Sequence, residues 1–208
     1  VRPSNTYLFY IILSPVAAYY PEGFNPVKIY VSQEYVRAVK GGVGEAKAAG
    51  NYASSLRAQM KAKAAGYTQV LWLDAVERKY VEEVGTMNIF FKFKDELVTS
   101  PLTGSILPGV TRDAVLQIAK KWGIEAKERR VTIDEVIEGA KSGALEECFG
   151  SGTAAIISPV KAIWHKGEEV TIGDGGTGPT AQKLYDTILD LQYGKAEDPF
   201  GWVERIDS

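Results

Sequence analysis

Cysteine and histidine are almost missing: the 208 residues contain one of each, Cys148 and His165. One cysteine excludes an intrachain disulfide, and it suits a reducing cytosol, so a cytoplasmic location is expected. One histidine excludes a metal site built from several of them, and a Ser-His-Asp triad would have to use His165. No metal is expected. Excess charge of either sign is also missing, since the formal net charge is −2. Nothing therefore points to a nucleic acid or a membrane surface as partner. No apolar run approaches the ~18 residues of a membrane span. The opening "VRPSNTYLFYIILSPV" has no basic region followed by a small-residue cleavage site, and prolines interrupt it, so no signal peptide is read. An initiator methionine is missing as well, and the expectation is a fragment that lacks an N-terminal part.

What is present is ordinary globular material, 45% hydrophobic and 24% charged, enough to bury a core. Tyr7 to Val16 reads as a buried strand, "YYPEGFNP" as a loop and Val27 to Val31 as a second strand. A helix is expected from Asn51 to Ala65, capped by Asn51 and stopped by Gly66. "TQVLWLD" is a strand, and "MNIFFKF" with "ELVTS" forms a hairpin around Lys94-Asp95. "PGVTRDAVLQIAKKWG" is a helix with Thr111 near its start and Gly123 past its end. "TIDEVIEGAKSG" follows, with Thr132 as cap and Glu135 three residues on. "LEECFGSGTAAIISPV" reads as strand, turn, then strand or short helix, and the last helix ends at Gly194. Strands and helices mix without strict alternation, which predicts an α/β or α+β domain. Cys148 is expected to pack in a strand, His165 to sit in a hairpin, and the four tryptophans to lie in the core or an interface.

Four stretches carry chemistry. In "GGVGEAKAAGNY" Lys47 stands among alanines and glycines. An attacking lysine must be neutral part of the time, and small neighbours leave room for a planar cofactor; a plain exposed loop lysine is the alternative. A P-loop is excluded, because Ala48 follows the lysine where Ser or Thr is needed, and Lys47 also occupies the third glycine position of G-x-G-x-x-G. In "VEEVGTMN", strand alternation would point one of Glu82 and Glu83 inward and the other to solvent. "LPGVTRDAV" delivers Val110 and Thr111 to a helix N-terminus, where free N–H groups attract anions. "FGSGTAA" is a small turn whose amides could form a second anion site. An amine, a buried carboxylate and two anion-binding turns suit a cofactor with an aldehyde, a basic ring nitrogen and a phosphate, and pyridoxal 5′-phosphate (PLP) has all three.

The segments "GGVGEAKAAGNYASSL", "QVLWLD", "VEEVGTMNIFF", "SILPGVTRDAVLQIAKKWGI", "FGSGTAAIISPV" and "LQYG" span nearly the whole chain. In these the sequence resembles the branched-chain amino-acid aminotransferases of the PLP-dependent fold type IV group. The resemblance implies a mixed-sheet pseudo-barrel surrounded by helices, with 1–208 as the larger C-terminal domain and a smaller N-terminal domain absent. It implies amino transfer from Leu, Ile or Val to 2-oxoglutarate, and a homodimer. Lys47 would be the Schiff-base lysine and the proton carrier. Tyr52 would bond the ring oxygen, Glu83 the pyridine nitrogen, and Leu107 would pack on the ring. Val110, Thr111 and Thr153 would hold the phosphate. Thr86 would lie on the substrate side, and the Thr153 and Ala154 amides would bind the substrate carboxylate. Two departures stand out. Ala155 and Ser158 occupy the positions of the mammalian members' C-x-x-C redox pair, and the family's phosphate-binding arginine belongs to the smaller domain. A D-amino-acid transaminase and an aminodeoxychorismate lyase remain as alternatives, against which "EVGTMN" and "GSGTA" argue. So does an inactive isolated domain.

Overall fold

The computed structural model describes residues 2–15, 23–204 and 206. In chain order the elements are β1 (Val27–Val31), α1 (Ala49–Ala64), β2 (Gln69–Leu73), β3 (Val81–Val84), β4 (Met87–Phe93), β5 (Leu97–Thr99), α2 (Val110–Lys121), β6 (Ala126–Glu128), α3 (Ile133–Ser142), β7 (Leu145–Gly152), β8 (Ile156–His165), β9 (Glu168–Thr171) and α4 (Pro179–Gln192). The strands run in the order β3-β2-β1-β8-β7-β4-β5-β6, and β3 also pairs with β4. That extra pairing closes six strands into a ring. β1 is parallel to both β2 and β8, and β5 is parallel to β6, while the other pairs are antiparallel. The expected mixed, barrel-like sheet with helices around it is what forms.

Alternation along the strands sorts side chains into separate cores, because successive side chains in a strand face opposite ways. In β4, Ile89 and Phe91 join a cluster with β1, β2, β3, β8 and α3. Phe90 between them points the other way and packs with Phe149, Val115, Ile118 and Leu184 of β7, α2 and α4. In β2, Leu71 and Leu73 enter the first cluster, while Val70 and Trp72 turn outward under Ala58 and Ala62 of α1. Since both faces are covered, these strands read as near-continuous apolar runs.

Most expected elements stand, including the Lys94-Asp95 hairpin, the strand form of residues 156–165, and the glycines past the helices: Gly66, Gly123 and Gly194 all have positive φ. Thr132 caps α3 by accepting from the Glu135 N–H at 3.0 Å. Cys148 is buried in β7, where burial pushes its thiol pKa up. His165 pairs with Glu168 across the β8–β9 hairpin. Among the tryptophans, Trp72 is fully buried, Trp122 and Trp164 are half-buried, and Trp202 is exposed and stacked on Phe200.

Two expectations fail. Residues 7–15 form no strand, and Tyr7 to Leu13 are all exposed. A strand exists only through the edge it pairs with. The ring closes on itself and ends in the short edges β6 and β9, and residues 7–15 pair with neither. Val16 and residues 19–22 of the expected loop lie outside the described residues. The second failure is the start of α1. Its N-cap is Ala48, and Asn51 is already in the first turn. The Asn51 amide instead donates to the Val43 and Ala46 carbonyls at 2.8 and 2.9 Å. It pins the glycine-rich turn to the helix instead of capping the helix.

Between β2 and β3 the chain turns around one carboxylate. Asp74 accepts backbone N–H bonds from Val76, Glu77, Lys79 and Tyr80 at 2.7 to 3.2 Å. Burial pushes its pKa up, but the four donors outweigh burial and hold it below the ordinary value. A lowered pKa stabilises the fold above the ordinary carboxylate range, and that contribution is lost as pH falls through the folded value. Asp74→Asn is expected to cost about 1–3 kcal/mol at pH 7 and to flatten stability against pH below about 4. Urea unfolding at pH 7 and pH 3 checks both; an equal loss at the two pH values would refute the account.

Candidate active site

The β3–β4 hairpin turns on two residues, Gly85 and Thr86, since Val84 pairs directly with Met87. Gly85 has φ +57°, a conformation that favours glycine, and a Cβ there would displace the Gln69 amide. The Trp72 indole N–H holds the turn by donating to the Gly85 carbonyl at 2.9 Å. Glu83, just before the turn, is only 2% exposed. It lies in a slot of about 20 Å³ lined by Arg37, Ala46, Asn51, Tyr52, Ser55, Gly85, Thr86 and Leu107.

Every oxygen of Glu83 is engaged. Oε1 accepts from Asn88 Nδ2 at 3.0 Å and from the Leu107 N–H at 3.2 Å. Arg37 Nε lies 2.5 Å from Oε2. Its N–H is not aimed along that line, so this is a charge contact and Nε keeps no hydrogen-bond partner. Burial dominates the electrostatics and raises the Glu83 pKa to about 7. Arg37 and the Leu107 N–H pull it down, and neighbouring Glu82 pushes it up.

Glu82 corrects an expectation. Alternation places it on the opposite face of β3 from Glu83, yet it is not solvated: it is 8% exposed. The 100–106 loop covers that face, and Ser105 donates to Glu82 Oε1 at 2.5 Å. Burial raises its pKa as well. Strand alternation predicts two faces; it does not predict that the second one is wet.

The structure gathers Tyr52, Glu83, Thr86 and Leu107 around the slot. Lys47 is exposed, one residue from slot-lining Ala46. Thr153 and Ala154 are exposed in the β7–β8 turn. The β4–β7 register, with Asn88 opposite Ser151, brings that turn beside the β3–β4 turn and sets Thr153 near Thr86. Val110 and Thr111 begin α2, whose N-cap Gly109 supplies no side-chain bond to the first amides. They line a different cavity, of about 560 Å³, with Ile188, Leu191 and Trp202. Four of the nine positions thus line the slot, Lys47 adjoins it in sequence through Ala46, and the α2 start follows Leu107 along the chain.

Two partners of Glu83 were not legible in the sequence. Asn88 ties Glu83 to the Leu107 carbonyl at 2.9 Å; it sits in the quoted "GTMN" but nothing local marks its role. Arg37 lies in a loop ten residues before Lys47. The only sequence signal was its "YVRAV" setting, since an arginine among apolar residues must find a buried partner.

The donor set fits a PLP-type group. A buried carboxylate that can hold or release a proton near neutral pH faces the slot, an exposed lysine adjoins it, and uncapped amides begin a nearby helix. Among the described residues no cluster of three or more His, Cys, Asp or Glu could hold a metal ion. No described helix is long and apolar enough to cross a membrane.

Residues 2–163 match the family model described as "Amino-transferase class IV". The chain belongs to the class IV aminotransferases. Its relatives narrow this further. Over 206 residues it is 56% identical to "Branched-chain-amino-acid aminotransferase 2" of Bacillus subtilis, covering 99% of this chain and 57% of that protein. The branched-chain amino acid aminotransferase of Escherichia coli superposes with a TM-score of 0.80 at 32% identity, covering 93% of this chain and 60% of that one. The branched-chain amino acid aminotransferase of Thermoproteus uzoniensis, solved with norvaline, gives 0.75 at 31%, covering 88% and 56%. A further branched-chain enzyme has been solved in complex with N-(5′-phosphopyridoxyl)-L-glutamate. The chain spans about three-fifths or a little less of the length of these relatives.

Proposed function

We propose that the protein transfers amino groups between branched-chain L-amino acids (Leu, Ile, Val) and 2-oxoglutarate with PLP as cofactor, and that residues 1–208 form the larger, cofactor-binding domain. The observation that carries this is Glu83: a nearly sealed carboxylate at a slot shared with Tyr52, Thr86 and Leu107, beside the Lys47 turn, in a chain of this family.

When bound, PLP supplies an aldehyde that captures an amine and a ring that accepts electrons. The chain supplies the rest. The Lys47 amine would take the proton from the substrate Cα and give it back, acting as base and then as acid. Glu83 would keep a proton at the ring nitrogen. The Tyr52 hydroxyl would donate to the ring oxygen, and Leu107 would pack on the ring. The Val110 amide, the Thr111 hydroxyl and Thr153 would hold the phosphate, helped by the uncapped start of α2. Thr86 would lie on the substrate side, and the Thr153 and Ala154 amides would bind the substrate carboxylate. In this reading the protein is a cytoplasmic homodimer acting on small amino acids and 2-oxo acids, and the lone buried cysteine is in keeping with that compartment.

A panel of amino donors tests the assignment, with 2-oxoglutarate as acceptor. L-Leucine, L-isoleucine and L-valine are expected to turn over, and D-alanine is not. Turnover of D-alanine alone would move the protein to the D-amino-acid branch of the fold.

A further inference from the structure

Among the described residues Arg37 is the one cation in contact with Glu83, and its guanidinium reaches further. Its side chain is 9% exposed. Nη2 donates to the Gly44 carbonyl at 2.9 Å and also to the Ser105 carbonyl. One side chain thus joins three segments: the turn that carries Lys47, the loop that leads to Leu107 and Val110, and the end of β3. The first two are packed to contact at the same place. A Cβ on Gly44 would collide with the Ser105 carbonyl oxygen and with Ala38 Cβ. Asn51, through Val43 and Ala46, and Asn88, through Leu107, tie the same segments from their outer sides.

We infer that Arg37 is a positioning residue of this site: its fork holds the Lys47 turn and the Ser105–Leu107 loop at the spacing that a cofactor needs, against the Glu83 carboxylate. The inference rests on the reading of the slot as a PLP site. Arginine suits the role because a planar fork of five donors can serve a carboxylate and two carbonyls together, whereas a lysine ammonium is a single point. The charge matters as well as the shape. Arg37 faces Glu83 on one face of β3 and also acts on Glu82 behind it, so one cation is shared between two buried carboxylates. Asn88, the Leu107 N–H, Asn51, Tyr52, Ser55 and Thr86 are the other polar groups described around Glu83, and they bring no further cation.

The test is amide hydrogen exchange on the full chain as wild type, Arg37→Lys, Arg37→Gln and Thr132→Ala, without cofactor, with the PLP dissociation constant measured in parallel. In Arg37→Gln, exchange in 43–47 and 105–107 is expected to quicken at least tenfold while α3 and α4 keep their protection, and PLP affinity to fall at least tenfold. Arg37→Lys is expected to restore charge but not the fork, and so to leave both segments fast. Thr132→Ala, which removes the α3 cap at a distance from these contacts, is expected to leave both segments and the affinity near wild type. Unchanged exchange in the two segments, a uniform rise over the chain, or full rescue by lysine would each overturn the inference. A wild type that does not retain PLP counts against the cofactor reading instead, and the exchange comparison still decides the role of Arg37.

Discussion

Lys47→Ala is expected to abolish covalent retention of PLP and to lower amino transfer by about 10³-fold or more, the range over which a positioned proton carrier and nucleophile act. The fold should barely notice. Lys47 is exposed in a turn, and among the described residues its side chain makes no hydrogen bond or ion pair; such surface changes usually stay within about 0.5 kcal/mol. Loss of activity without loss of stability therefore separates chemistry from folding. The measurement is borohydride reduction of the PLP-loaded protein, digestion, and location of the pyridoxyl adduct by mass spectrometry. One dominant adduct at Lys47, lost in Lys47→Ala and in Lys47→Arg at unchanged thermal midpoint, is the expected outcome. Arginine keeps the charge and cannot form the bond, so it removes mere cation placement as an explanation. Adducts spread over surface lysines, with Lys47→Ala still active, would sink the assignment of the catalytic lysine.

Much of this is legible in the sequence, for reasons that individual residues make plain. A short apolar run rich in β-branched and aromatic residues is a local signal, so β1, β2, β4 and the 145–165 hairpin are visible in the sequence. Cap and stop chemistry is also local, which is why Thr132 and the helix-ending glycines stand. Errors arise where a local signal needs a distant partner. "YLFYIIL" has the composition of a core strand, yet an apolar run cannot announce the edge it pairs with, and residues 7–15 find none. Asn51 has the right chemistry for a cap, but the helix starts two residues earlier, at Ala49, and the Asn51 Nδ2 donates to the distant turn's Val43 and Ala46 carbonyls. Glu82 is buried against expectation because alternation says nothing of what covers the outer face. Arg37 escapes a sequence reading because its meaning lies entirely in contacts with Gly44, Glu83 and Ser105. The last two are 46 and 68 residues away along the chain.

Glu83→Gln is the second large expectation, and it acts on stability and on chemistry in opposite senses. The side chain is almost fully buried, and its pKa rises from 4.5 to about 7. A raised carboxylate pKa means that the folded state holds a proton which the unfolded chain has already released. Wild-type stability should therefore fall as pH rises from about 4.5 to about 7, by roughly 3 kcal/mol at one pKa unit per 1.4 kcal/mol, and then level off. Glutamine has no proton to hold, so the variant should lose that slope. Below about pH 7 the wild-type acid is as neutral as the amide, so Arg37 lacks a full counter-charge in both, and the variant should gain relative to wild type as pH climbs to 7. Catalysis has no offsetting gain. A neutral amide cannot keep a proton on the ring nitrogen, and loss of one preorganised electrostatic partner lowers rates by about 10²–10³-fold. Urea unfolding from pH 4 to pH 8, set beside kcat for L-leucine, tests both halves. Parallel pH slopes in wild type and Glu83→Gln would show that Glu83 titrates elsewhere. An unchanged kcat would remove it from the ring nitrogen.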